Sequence, residues 1–210
     1  MKKLLMTAGA AVLAMGTAAS AATLSISGGT AGSIPGGGVN NVLVDLLGVN
    51  TLSGFYGSQI VANAGPNSKI KVEVMGYEAL FLNEFATVED SFTTSGGAPK
   101  KVIGDPDPLA TWLTDASGGL DFSFSTYGNG APGQFKTVAN GGNAVPDVDE
   151  VNFFAHDDGK YVWLFFDDSP IDGDDNHDDL VVRLSAVPLP AGALLLLTGM
   201  GALALRRRAA

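Results

Sequence analysis

The sequence predicts a mainly β fold, an antiparallel β-sandwich of jelly-roll type with one or two short helices, flanked by a signal helix and a C-terminal transmembrane helix. Three observations carry this reading. Apolar and polar residues alternate strictly in several central segments, Gly, Asp and Asn collect in the turns between them, and two charge-free apolar runs are confined to the chain ends.

The ends divide the chain. Met1-Lys2-Lys3 is a short positive region, Leu4 to Met15 is apolar and uncharged, and Ala19-Ser20-Ala21 offers the small residues that signal peptidase requires. Residues 1–21 therefore read as a signal peptide for Sec-type export, cleaved after Ala21. At the other end, Ala191 to Leu205 contains only Ala, Gly, Leu, Met and one Thr, and Arg206, Arg207 and Arg208 stop it. A span needs about 20 apolar residues, so this run crosses only if Val187 to Pro190 contribute or the membrane thins, and the arginines stay on the cytoplasmic side. Residues 187–210 thus form a membrane-spanning tail, and residues 22–186 form a body of the size of one domain.

Five of the twelve basic residues belong to those ends, whereas all twenty-two acids lie in the body, which leaves the body seven basic residues and a formal charge of −15. Such a surface repels nucleic-acid phosphates and anionic headgroups, which excludes nucleic acid as a partner and favours cations. The chain has no cysteine. It has neither disulfide staples nor an acylation site, and an exported domain of this kind draws its stability from its core or from bound metal.

Within the body, Ile70, Val72 and Val74 alternate with Lys69, Lys71 and Glu73, and Leu120, Phe122 and Phe124 alternate with Asp121, Ser123 and Ser125. Each such segment should have one wet face. Asn152 to Ala155 and Tyr161 to Phe166 flank His156-Asp157-Asp158-Gly159 and predict a hairpin. Leu180 to Ala186 is a last strand entering that tail. Val39, Val42, Leu43, Leu46 and Leu47 keep helical spacing with Gly48 as a stop, and Asp107-Pro108 caps a possible second helical turn through Leu109, Trp112 and Leu113. Gly28 to Gly38 reads as a flexible loop, since no buried strand precedes it and it has no Lys for phosphate.

Catalytic motifs are sparse. There is no Gly-x-Ser-x-Gly elbow, and the two histidines, His156 and His177, each sit in an acidic turn where an imidazole is ordinarily solvated. They form a poor zinc set without thiolates. Paired carboxylates for sugar hydrolysis stay open, because twenty-two acids offer many pairs. The expectation is a protein that is not an enzyme.

Acid is concentrated instead. Twelve of the carboxylates fall between Asp147 and Asp179, with Lys160 the only basic residue among them. Asp167-Asp168 ends a strand, and Asp172, Asp174, Asn176 and Asp178 recur at every second position before Asp179. Oxygen ligands alternating along a tight loop suit Ca²⁺, which takes 6 to 8 oxygens. An EF-hand is excluded, because its sixth and twelfth positions counted from Asp172 are His177 and Arg183.

Val187-Pro188-Leu189-Pro190-Ala191, followed by the apolar run and Arg206 to Arg208, resembles the VPLPA variety of PEP-CTERM sorting signals, which exosortase-type membrane proteases process in Gram-negative bacteria. The resemblance implies an exosortase-like partner, passage through the inner membrane by the C-terminal helix, and delivery to the cell surface or extracellular matrix. A sortase ranks second, because its motif requires Thr where Gly192 stands. Phe166-Asp167-Asp168, with Asp174 to Arg183, is similar to the signature of a domain of unknown function from bacterial adhesins that is associated with calcium. That resemblance implies ligand roles for Asp167, Asp168, Asp174, Asn176, Asp178 and Asp179. Glu78-Ala79-Leu80-Phe81-Leu82-Asn83 resembles a further box of that family, with Leu80 in place of its Gly, and adds Glu78 and Asn83.

Two rivals accompany this reading. A glycan-binding adhesin module, with extracellular polysaccharide as partner, requires Trp112, Trp163 or Tyr127 exposed on one face, and Trp163 alternates as a core residue. A tail-anchored periplasmic hydrolase requires a cleft of convergent carboxylates with no metal between them. Protein recovered outside the cytoplasm is expected to begin at Ala22 or Thr23 and to lack Arg206 to Arg208 in a host with the processing enzyme. Mass spectrometry of the two ends checks both, and retention of Met1 or of the arginines rejects the corresponding signal.

Overall fold

The computed structural model describes residues 23–36, 41–63, 68–79, 81–94, 98–102, 108–114, 118–127, 135–142, 151–168 and 177–187. Among them the chain forms β1 (Leu24–Ser27), β2 (Thr30–Pro35), α1 (Asn41–Leu47), β3 (Thr51–Tyr56), β4 (Gln59–Ala62), β5 (Lys69–Ala79), β6 (Leu82–Thr87) and β7 (Ser91–Thr93). It continues through β8 (Ala98–Val102), β9 (Pro108–Leu113), β10 (Phe122–Tyr127), β11 (Phe135–Ala139), β12 (Asn152–Asp157), β13 (Val162–Asp167) and β14 (Leu180–Ala186). The protein is mainly β, and every strand pairing among the described residues is antiparallel.

The largest sheet runs β2-β3-β12-β13-β14-β5-β8, with β9 also on β5. A four-stranded sheet runs β11-β10-β6-β7, and β1 pairs with β4. The β12–β13 hairpin forms as its sequence predicts, and its turn is knotted by carboxylates. Asp157 Oδ1 accepts from Gly159 N–H at 2.8 Å, and Asp158 Oδ1 accepts from the N–H groups of Lys160 and Tyr161 at 2.8 and 2.7 Å. Asp158 Oδ2 takes the Trp163 indole N–H at 2.8 Å. Burial works against the charge of Asp158, but the indole, the two backbone donors and His156 outweigh it and hold the carboxyl below its ordinary range.

Alternation along β13 sends Val162, Leu164 and Phe166 into one cluster and Trp163 and Phe165 into another. The first cluster joins these residues to Phe85, Phe122 and Phe124 of the four-stranded sheet. Phe124 stacks on Phe166 with centroids 4.9 Å apart and planes 7° apart, and Phe85 meets Phe124 edge-on at 5.0 Å. Each fully buried Phe contributes roughly 1.5–3 kcal/mol of transfer free energy. The second cluster joins Phe154, Trp163, Phe165 and Val181 to Val42 and Leu43 of α1 and to Ile34, Leu52 and Tyr56. Exposure follows the expected wet faces at Lys69 and Asp121, whereas Glu73 and Ser125 on those same faces are buried, and all six residues of β13 are buried. For β13 the reason is a second apolar cluster, in which Trp163 and Phe165 join Val42 and Leu43 of α1.

Two local expectations are corrected. Asp107 lies outside the described residues, and Pro108 to Leu113 form strand β9 on the edge of β5, not a helical turn. Pro108 sits at the first strand position, where a missing N–H costs least, and Thr111 and Trp112 favour extended backbone beside an edge that offers hydrogen bonds. Nor is the Gly-rich stretch simply a loop, because Thr30 to Pro35 pair along β3. Gly32 stands opposite Gly54, and the ring of Phe154 packs where a Cβ on Gly54 would lie. Helix α1 agrees with its periodicity, and Gly48 follows it at φ +69°, a stop that favours glycine.

On β14, Arg183 lies opposite Glu73 of β5. Its guanidinium donates to Glu73 Oε2 at 2.9 and 3.1 Å, while Lys71 Nζ reaches Oε1 at 2.6 Å. Burial opposes ionisation of Glu73, yet Lys71 and Arg183 overcome it and lower its pKa. Its stabilising effect is thus present above its ordinary pKa of 4.5 and lost as pH falls through the lower folded value. Glu73→Gln is expected to cost about 2 kcal/mol at pH 7. The gap between its melting temperature and that of the wild type should narrow on going from pH 7 towards pH 3, and a gap that stays constant would show that the charge is immaterial. Gly54→Ala places a Cβ against the Ala155 carbonyl oxygen and the Phe154 ring. It should lower stability by about 1–3 kcal/mol in the same melts.

Candidate metal centre

Register decides which acids meet. Phe166 pairs with Leu180, so Asp167 and Asp168 leave β13 beside Asp178 and Asp179 as they enter β14. Val181 pairs with Gly76, which brings Glu78 alongside, and the Glu78 N–H donates to the Asp178 carbonyl at 2.8 Å. The pairing shifts between Val181 and Val182. Before this bulge Ile70, Val72 and Val74 face the aromatic core, and after it Tyr77 does. A one-residue shift reverses the faces, and this one keeps the even-numbered Glu78 out of that core.

The opposing sheet supplies Asn83, two residues before Phe85 on β6. Its backbone is pinned by Thr94, whose hydroxyl accepts the Asn83 N–H at 2.9 Å and whose N–H donates to the Asn83 carbonyl at 2.8 Å. The Asn83 amide Nδ2 donates to Asp168 Oδ2 at 2.5 Å, and the Asp168 N–H donates to Asp179 Oδ2 at 2.8 Å. Asn83 and Asp178 are fully buried, and Asp167 and Asp168 nearly so. Asn83 Oδ1 and Glu78 Oε2 are buried acceptor atoms without a hydrogen-bond donor.

Four carboxylates gathered here out of water oppose one another's ionisation. The Asp179 carboxyl is pushed well above its ordinary pKa, first by burial and then by Asp168, while the Asp168 N–H acts in the opposite direction and Asp167 and Asp178 add to the rise. A cation or bound protons must offset that repulsion. The donor set consists of carboxylate and amide oxygens, and two of those oxygens have no donor, which fits a hard cation such as Ca²⁺. Among the described residues, no three His, Asp or Glu side chains stand together in metal-ligating geometry. Asp174 and Asn176 lie outside the described residues, as do Ala19, Ala21, Pro188 to Ala191 and Arg206 to Arg208. Val187, the first residue of the expected sorting motif, donates its N–H to the Lys69 carbonyl at 2.8 Å.

His177 corrects the sequence reading. It is fully buried rather than solvated, its ring packs against the Tyr56 and Phe154 rings with centroids 5.6 and 6.3 Å away, and its Nδ1 stands 3.7 Å from Asp167 Oδ2. Its φ of +56° is left-handed, a conformation unusual for a residue other than Gly and one that costs of order 1–3 kcal/mol. Asn152, buried opposite Asp167 at the start of β12, is a second neighbour that the sequence did not mark. No helix among the described residues is long and apolar enough to cross a membrane, which says nothing of β-barrels. Comparison with known family models, curated proteins and solved structures finds no match.

Proposed function

We propose that this chain is an exported, non-enzymatic protein of the cell surface or extracellular matrix, sorted by an exosortase-like protease, whose body is a calcium-stabilised β-sandwich of jelly-roll type. The sandwich reading is supported by the aromatic core to which two antiparallel sheets both contribute. Calcium rests above all on one observation: buried Asn83 Oδ1 and Glu78 Oε2, without donors, border a cluster of carboxylates whose charges oppose each other. Asp167, Asp168, Asp178 and Asp179 would hold the ion together with Asn83 and Glu78, and Asp174 and Asn176 complete the set by sequence. When bound, the ion supplies charge neutralisation. The same burial weighs against the hydrolase, since a carboxylate pair must reach a substrate and Asp167 and Asp178 are closed off.

A cation that binds the folded state alone, at 100 times its dissociation constant, stabilises by about 2.7 kcal/mol. At roughly 2–4 °C per kcal/mol, the melting temperature should rise by several degrees with Ca²⁺ at constant ionic strength. Magnesium, which keeps its water, should do much less. Asp178→Asn with Asp179→Asn should abolish the shift. Identical wild-type melts with Ca²⁺ and with chelator would reject the metal reading.

A further inference from the structure

Alternation gives the four-stranded sheet two unlike faces. Phe85, Phe122, Phe124 and Val138 point into the core, whereas the other face carries Leu82 and Glu84 from β6, Ser125 and Tyr127 from β10, and Phe135 and Thr137 from β11. Of the five large apolar residues exposed among the described residues, three meet here: Leu82 is 44 % exposed, Tyr127 43 % and Phe135 57 %. Tyr127 is the register partner of both others, and the Tyr127 and Phe135 rings lie 5.0 Å apart. They form one ridge across three strands, not a scatter of single residues.

Polar groups on this face are equally ordered. The Tyr127 hydroxyl donates to Glu84 Oε2 at 2.7 Å, which fixes the ring, and the next row holds the Ser125 and Thr137 hydroxyls 2.9 Å apart. Glu84 is the one charge on this face among the described strand residues. With rings of roughly 200 Å² apiece about half exposed, the aromatic area is on the order of 200 Å² in all. A stable protein interface buries about 800 Å² per partner, so the ridge suits a narrower ligand that lies along it.

We propose that this outer face binds a polysaccharide bearing free amino groups. The C–H faces of its sugar rings would lie on Tyr127 and Phe135, and an ammonium would pair with Glu84. Charge selects the class. The lone carboxylate, on a body of formal charge −15, attracts a polycation and repels uronate or sulfate polymers. Aromatic rings favour the same ligand, because an ammonium is drawn to a ring face. This deepens the reading of the chain as an exported protein and rests on it for access to such polymers.

The test is titration of the purified full chain, in Ca²⁺, with a glucosamine oligomer, its fully N-acetylated counterpart and a uronate oligomer, followed by calorimetry. The glucosamine oligomer should bind, the N-acetylated one about tenfold more weakly, and the uronate not at all. Tyr127→Ala with Phe135→Ala should weaken glucosamine binding at least about tenfold without moving the calcium-dependent melting shift. Glu84→Gln should reduce the preference for the free amine and leave N-acetylated binding unchanged. Binding that survives the double aromatic variant would overturn the proposal as mere attraction to an acidic body, as would no binding at all or preference for the N-acetylated form. Loss of the calcium shift with retained glucosamine binding would overturn the metal reading alone.

Discussion

The contact on which the rest depends is the stacking of Phe124 on Phe166, because it joins the four-stranded sheet to the large one. Strand side chains repeat every two residues, so the same faces continue outward from the ring layer. Two positions past Phe166 stands Asp168, and two before Phe85 stands Asn83. The amide and the carboxylate meet because their aromatic neighbours do. Hydrophobic packing thus sets the distance between polar groups that would otherwise repel or drift, and the rings hold the acids together against their own electrostatics.

Much of the fold was legible because its elements are local. Asp-Gly in a turn flanked by apolar residues is enough to specify the β12–β13 hairpin, and helical spacing with Gly48 behind it is enough for α1. Pro108 to Leu113 misled because its propensities are mixed, and the free edge of β5, far away in sequence, decided for strand. The stretch that holds Gly32 read as a loop, whereas Gly32 and Gly54, opposite each other, let Tyr56 and Phe154 approach the backbone.

The candidate site was legible as composition and not as geometry. An acidic loop can be solvated or buried with the same residues, and what separates the two is pairing with β5 and the contact with Asn83 of β6, more than eighty residues earlier. Glu78 and Asn83 come from a box that departs from its family at Leu80, yet each carries a buried oxygen without a donor. His177 had no sequence signal that distinguishes it from His156. The first is enclosed by Tyr56 and Phe154, while the second rests its Nδ1 on the Ser53 carbonyl at 2.8 Å. Aromatic residues divide similarly: Trp163 is buried, as alternation predicted, and Tyr127, at the end of β10, is not.

The position of β14 between β13 and β5 has a consequence for the order of assembly. It comes last in chain order among the described strands, yet it lies inside the largest sheet, so β5 and β13 both wait for it with open edges. Their partner arrives from more than a hundred residues beyond β5, and non-local pairing of this sort makes folding slow. Until residue 186 is free to pair, the chain has hairpins but no closed core. The large sheet is therefore completed only when β14 is in place, and forms that lack it expose strand edges that other chains can take.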